Sequence, residues 1–504
     1  MKRSNQVVLI LFAYICLFYF PIRYLTYYDF ANFIIFLFFG NIFFAFAIMS
    51  SKNINDSKMF WLLIILFLPL LGMVFYVLFG ASFMRSTRFK NMPQYPANEL
   101  EDYYGQTNFP LYFKYKLRNE LDFIKLIDNL TTSPIHFKTK TEILTNGDIK
   151  FERLLEKLKE ATEYIHIEYF IIHDGDIANN LSEILIEKAK AGVKVRMLFD
   201  DVGSIDLSKI YKQKLIDAGI EIEFYNPVTF RMMHDAVNYR NHRKIVVIDG
   251  KYGFTGGINI GDEYLHMDSY YGFWRDTHIM IEGDAVKSLN LIFMSDWYNI
   301  TSENLFKDKY LQTYPVSENK FSGVQIIKDG PDMDGSIIKD IYFKAIMEAQ
   351  ENIRIATPYL ILEDDILKAL RVAALSGVTV DILVPGKPDR GKNLVYLATQ
   401  SYFERLLEAG CNIYTYSENF MHSKFLIIDD KIASIGTANL DFRSFHLNFE
   451  VTTLLFLDKS IKHLVKDFED DLKQSDNITL EVWQNRSYYK RWFEAYAKLF
   501  SPML

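Results

Sequence analysis

The residues best suited to chemistry lie in two nine-residue stretches, Asn241–Asp249 (NHRKIVVID) and Met421–Asp429 (MHSKFLIID). Each reads His-x-Lys-x4-Asp, so His242, Lys244 and Asp249 recur as His422, Lys424 and Asp429 at a constant offset of 180 residues. One such match is expected by chance about 0.05 times in a chain this long. Two of them, each followed by Gly-x-x-Asn (Gly256 to Asn259; Gly436 to Asn439), are a duplication. A strand sets alternate side chains on one face, so His and Lys at i and i+2 project towards the same place. The apolar runs behind them, Ile245–Ile248 and Phe425–Ile428, have the character of strands buried on both faces. Gly257 and Thr437 stand where the backbone would approach a ligand closely, and Asn259 and Asn439 add amide donors.

Two imidazoles and two ammonium groups facing one another suit phosphoryl transfer from a diester. That reaction needs a nucleophile, a proton donor for the departing alkoxide and positive charge around the equatorial oxygens. One imidazole attacks phosphorus to give a phosphohistidine while the other, protonated, serves the leaving oxygen and then becomes the base for the acceptor. The lysines supply the positive charge. No metal or other cofactor is expected, because a protonated lysine is no ligand and the chain shows no metal-ligand spacing, with only Cys16 and Cys411 as cysteines. A carboxylate should orient each ring. Glu450 lies 28 residues after His422, and Asp276 holds the corresponding place after His242 if about six extra residues around His266–Tyr271 form a loop. Asp249 and Asp429 are expected to fix local backbone instead of moving protons.

The elements that must carry these groups alternate. Tyr164–Ile172, Ile177–Ala191 and Val193–Phe199 read as strand, helix, strand, and Ile353–Tyr359, Asp364–Leu375 and Val378–Pro385 repeat the order. The fold class is therefore α/β, with the domain present twice, expected at 136–315 and 316–504. Residues 83–135 read as a connector.

Composition points to lipid. Of 504 residues, 50 % are hydrophobic and 16 % aromatic, while the net charge of -7 gives no global attraction to nucleic acid. The apolar surplus sits in residues 1–82. The runs at about 30–49 and 59–79 are long enough to span a bilayer, and 7–26 is a marginal third. In a three-span arrangement the positive residues divide evenly between the two sides; if the first run does not cross, Lys2, Arg3 and Arg23 share a side with Arg85, Arg88 and Lys90, which favours a hairpin with the large C-terminal region in the cytoplasm. In the loop after the second half's predicted strand, Lys387, Arg390 and Lys392 stand ready to meet a lipid phosphate or to remain solvated.

The duplicated motif resembles that of the phospholipase D superfamily, which implies two phospholipase D-like α/β halves related by a pseudo-twofold. The likeness narrows to the bacterial cardiolipin synthases through ILTNGDIKFERLL, IHIEYFII, NYRNHRKIVVIDG, GGINIGDEY, FWRDTH, VPGKPD and the apolar WLLIILFLPLLGMVFYVLFG. The resemblance implies a membrane enzyme that joins two phosphatidylglycerol molecules into cardiolipin and frees glycerol, with His242 as nucleophile and His422 as general acid and base. It also implies two N-terminal spans, so the run at 7–26 is additional. The alternatives are a membrane-bound hydrolase of phosphodiesters and a non-catalytic scaffold; the complete duplicated motif argues against the second.

Overall fold

The computed structural model describes residues 27–50, 55–76, 97–104, 110–118, 120–227, 238–317, 322–333, 335–417 and 419–504. The chain divides into an N-terminal unit, Met1–Lys90, and a larger unit that begins at Asn91.

In the N-terminal unit, Tyr27–Ser50 is one helix, and its segment Ala31–Ser50 is long and apolar enough to cross a bilayer. Phe36, Phe39, Phe43 and Phe46 are exposed along it, as a lipid-facing surface would be. The run expected to span at 59–79 is not one unbroken helix. It is described as Asn55–Phe67 and Pro69–Phe75, because Pro69 has no N–H to continue the ladder and Leu68 leaves helical geometry. Gly40 lies against Met73, and the Phe44 and Tyr76 rings meet edge to face at 6.3 Å, so the helices pack on each other. The marginal run at 7–26 lies outside the described residues.

The larger unit contains two sheets of matching order. In the first, Thr139–Thr145, Thr277–Gly283, Tyr252–Gly256, Ile245–Ile248, Tyr164–Tyr169, Lys194–Asp200 and Glu221–Tyr225 lie side by side. In the second the order is Gly323–Asp329, Asn448–Phe456, Ile432–Gly436, Phe425–Ile428, Asn352–Ala356, Thr379–Pro385, Asn412–Tyr416 and, at the added edge, Ser475–Ile478. The last three strands of the first sheet are parallel, which requires helical crossovers such as Asp176–Lys190; Asp364–Leu375 does the same in the second. Each motif strand sits near mid-sheet with all four residues buried.

The segment expected to be a connector does more than join. Its helices Leu111–Lys116 and Leu121–Leu130 bury Phe113, Phe123, Ile124 and Ile127 in the core of the second half. Apolar residues at i, i+1 and i+4 of a short amphipathic helix explain this, a signal that the Pro and Tyr content of the region obscured.

Each motif aspartate closes the turn after its strand. Asp249 accepts from the backbone N–H groups of Thr162, Glu163 and Tyr164, at 2.8, 2.9 and 2.8 Å, and so ties its turn to the start of the adjacent strand. Asp429 does the same with Gln350, Glu351 and Asn352. Both adopt a left-handed backbone with φ of 51°, which Asp tolerates better than most residues. Replacing Asp249 or Asp429 by Ala is expected to remove about 2–3 kcal/mol of stability, the worth of hydrogen bonds to a charged acceptor. Scanning fluorimetry in detergent would register a lowered Tm, while kcat at low temperature stays within a few-fold of the parent. A large kcat loss at unchanged Tm would show that these carboxylates act in the chemistry.

Candidate active site

The two halves exchange short strands at their pseudo-twofold. Arg240–Asn241, just before the first motif histidine, pairs in parallel with Asn448 and Phe449 of the second half, and the His242 N–H donates to the Phe449 carbonyl at 2.9 Å. Phe420–Met421 pairs likewise with Trp274 and Arg275 of the first half, and the His422 N–H donates to the Arg275 carbonyl at 2.7 Å.

The exchange decides which acid orients which ring. His242 Nδ1 lies 3.0 Å from both oxygens of Glu450, and His422 Nδ1 lies 2.8 Å from Asp276 Oδ2. Each histidine is thus held by the carboxylate of the other half, a pairing that chain order alone does not disclose. With Nδ1–H donating to a carboxylate, Nε2 of each ring keeps its lone pair for chemistry. Both carboxylates are fully buried. Burial alone would raise them, but His242 and Lys244 outweigh it at Glu450, and Lys424 and His422 outweigh it at Asp276, so both stay below their ordinary range.

Position 257 and its counterpart 437 fit the two acids differently. A Cβ on Gly257 would fall 2.1 Å from Asp276 Oδ1, so the glycine leaves the space that this carboxylate fills. Thr437 instead donates its hydroxyl to Glu450. Asn259 donates to Tyr264 Oη at 2.8 Å and Asn439 to Asp441 at 3.2 Å, so each amide has one hydrogen committed within the protein and one left.

Lys244 Nζ donates to the His242 carbonyl at 2.7 Å, and Lys424 makes the equivalent bond to His422. Burial pushes Lys244 down to about 7 and Lys424 down to about 8, against the opposing pull of the acids. Burial likewise pushes both imidazoles down to about 4. A neutral imidazole is what a nucleophile requires. The anionic phosphate of a substrate then raises the proton affinity of its partner ring and of both lysines.

Sequence reasoning did not find the aromatic walls. Phe170 meets the His242 ring at 5.0 Å, while Trp274, Phe420, Tyr359 and Tyr264 surround His422 at 5.3 to 6.4 Å. Phe420 precedes His422 by two residues, on the short strand that leads into it, while Phe170, Tyr264, Trp274 and Tyr359 come from segments distant in the chain from the histidine that each meets. Two buried guanidinium groups also brace the crossing. Arg243 binds Asp296 and donates to the carbonyls of Glu450 and Asp329, and Arg275 binds Asp471 at 2.9 Å and the Asp276 carbonyl at 2.7 Å.

Comparison with known proteins places the chain in a family. The family described as the cardiolipin synthase, phospholipase D-like domain matches residues 154–297 and 342–472, and the phospholipase D-nuclease N-terminal family matches residues 34–80. Cardiolipin synthase 2 of Bacillus anthracis is 45 % identical over 454 residues, covering 90 % of this chain and 88 % of its own. The chain belongs to the cardiolipin synthase family. The cardiolipin synthase of Geobacillus sp. (strain WCH70), another member, is 44 % identical, with 92 % of each chain covered. The crystal structure of phosphatidylserine synthase from Haemophilus influenzae Rd KW20 shares the fold, with a TM-score of 0.56 at 15 % identity over 76 % of this chain and 98 % of that one. Family membership makes the protein a membrane-associated phosphatidyltransferase with a phospholipid substrate.

The titrating groups set the pH response. Because kcat/KM reports the free enzyme, it should fall above about pH 7 as Lys244, near 7, and then Lys424, near 8, lose the protons that stabilise transition-state charge. A plateau extending to pH 10 would contradict the depressed lysines. Gly257→Ala should displace Asp276 and with it His422, at a cost of about 10²-fold in kcat; parental activity would show that the ring does not depend on that carboxylate.

Proposed function

We propose that the protein joins two phosphatidylglycerol molecules into cardiolipin and releases glycerol. The observation that carries the reading is the crossed pair of histidine–carboxylate couples flanked by two lysines in a chain of this family. His242 Nε2 attacks the phosphorus of one lipid, the bond to the headgroup oxygen breaks, and protonated His422 gives its proton to the departing glycerol. A terminal hydroxyl of the second lipid then enters on the same side. His422 removes its proton as the new P–O bond forms and the P–N bond to His242 breaks.

Lys244 and Lys424, fixed against the histidine carbonyls, provide positive charge where it grows on the equatorial oxygens. Glu450 and Asp276 hold the rings in the required tautomer and favour the imidazolium when it forms. Asp249 and Asp429 hold the motif turns, Gly257 and Thr437 fit the two acids, and Asn259 and Asn439 each keep an amide hydrogen for the lipid phosphate. The chain crosses the cell membrane more than once, and the catalytic unit faces the cytoplasm. The apolar character of Ala31–Ser50 and the lipid substrate support membrane residence; the distribution of basic residues supports the orientation.

The test is reconstitution in phosphatidylglycerol bilayers, following lipid products and released glycerol by mass spectrometry. Cardiolipin and glycerol in equal amounts are expected, unaffected by EDTA. Phosphatidic acid with glycerol and no cardiolipin would make the protein a hydrolase. His242→Ala and His422→Ala should each abolish turnover about as fully as the double variant, and Lys244→Ala or Lys424→Ala should cost about 10²–10³-fold. Substantial activity in either histidine variant would refute the two-histidine route.

A further inference from the structure

The product proposed above contains two phosphates bridged by one glycerol, so the acceptor lipid brings a second anion that the His and Lys couples do not accommodate. That anion must lie one three-carbon bridge from the reacting phosphorus, on the side where the acceptor hydroxyl meets its base. The rims of the two halves differ there. In the first half, strand Lys194–Asp200 is followed by Asp201–Ser208, a loop with no Lys or Arg and with Val202 and Ile205 exposed. In the second half, the equivalent strand Thr379–Pro385 is followed by Gly386–Lys392, which carries Lys387, Arg390 and Lys392.

This cationic loop is built onto the His422 side of the site. The Tyr359 ring stands 6.4 Å from the His422 ring, and Lys392 Nζ donates to Tyr359 Oη at 2.7 Å. Asp389 fixes the arrangement, accepting from Tyr359 Oη and Tyr271 Oη at 2.6 Å each and pairing with Lys392 at 2.7 Å. Arg390 stacks over the Tyr270 and Tyr271 rings at 4.9 and 5.4 Å and pairs with Asp268 at 3.0 Å. Lys387 donates to the carbonyls of Tyr270 and Tyr271.

Positioned in this way, the Lys392 and Arg390 side chains remain 50 and 57 % exposed. Lys392 has one ammonium hydrogen beyond its two partners, and Arg390 has further guanidinium N–H groups, suited to a phosphodiester anion. Asp389 and Asp268 hold the cations in place and leave the loop, counting Lys387, with one net positive charge.

We propose that Lys392 and Arg390 form the phosphate site for the acceptor lipid, which they hold so that its terminal hydroxyl reaches His422. This rests on the phosphatidyltransferase reading above. The site selects the acceptor and takes no part in breaking the first lipid, so it favours transfer to lipid over transfer to water.

Free glycerol, an acceptor with no phosphate, separates the two roles. The full-length protein in phosphatidylglycerol vesicles is assayed for cardiolipin formation and for exchange of labelled glycerol into phosphatidylglycerol, which uses the same phosphoenzyme. In Lys392→Gln/Arg390→Gln, cardiolipin formation should fall about 10–100-fold while glycerol exchange stays within about two-fold of the parent, and Lys392→Gln alone should show a smaller loss of the same kind. Retained exchange also reports that the variant is folded. Parallel loss of both activities, in the single as in the double variant, would overturn the proposal, and so would unchanged cardiolipin formation. A parent protein that exchanges glycerol but makes no cardiolipin would instead overturn the function on which the proposal rests.

Discussion

The chemistry depends on two strand pairings, each only two residues long, that cross between the halves. Arg240–Asn241 against Asn448–Phe449 and Phe420–Met421 against Trp274–Arg275 fix where each catalytic histidine enters the cleft and bring it to the acid of the other half. Neither half therefore holds a complete histidine–carboxylate couple. The Arg243 and Arg275 guanidinium groups are buried beside these crossings, where removing one would leave carboxylates without partners, a change that costs about 3–5 kcal/mol in other buried pairs. Helix exchange reinforces the strands: Thr141 of the first sheet hydrogen-bonds Asp458 and Ser460, at the start of a helix of the second half.

The electrostatic design follows from that burial. Two lysines, two histidines and two acids share a buried site in which each cation is opposed by a carboxylate and each carboxylate has at least two donors. Burial depresses the lysines and imidazoles, and the acids only partly restore them. The site is thus poised for an anion, whose arrival shifts both lysines and the imidazole that serves as proton donor towards the charged form that transition-state stabilisation requires. The halves are nonetheless not equivalent. Gly257 beside Asp276 answers to Thr437 beside Glu450; among the described residues, His422 sits among four aromatic rings and His242 against one, and a cationic loop follows strand Thr379–Pro385 but not its first-half equivalent Lys194–Asp200. A duplicated fold has become directional, as a reaction with distinct donor and acceptor lipids demands.

Much of this was legible in the sequence because its signals are local. His-x-Lys-x4-Asp places two side chains on one face of a strand, and the structure sets the motif strands where the apolar runs Ile245–Ile248 and Phe425–Ile428 required. Asp249 and Asp429 bind backbone, as their place at a strand end suggested. What was not legible depends on the tertiary arrangement. The crossed pairing of His242 with Glu450 and of His422 with Asp276 needs the pseudo-twofold itself, and the approach of Tyr359 to His422 and of Phe170 to His242 depends on the same tertiary arrangement. Leu68–Pro69 interrupts a run that hydropathy alone reads as continuous, since hydropathy does not register a missing N–H. The helices at Leu111–Lys116 and Leu121–Leu130 were passed over because Pro and Tyr outweighed a short amphipathic pattern.

The central claim is that phosphorus passes through one of two histidines brought together from the two halves. The most direct measurement is to stop the reaction on phosphatidylglycerol with alkali, under which a phosphohistidine survives, and to locate the phosphorylated residue by mass spectrometry. An acid-labile adduct on His242 is expected, diminished when free glycerol is added before the quench. An adduct on any residue other than the two motif histidines, or continued cardiolipin formation with no adduct under rapid quenching, would contradict it.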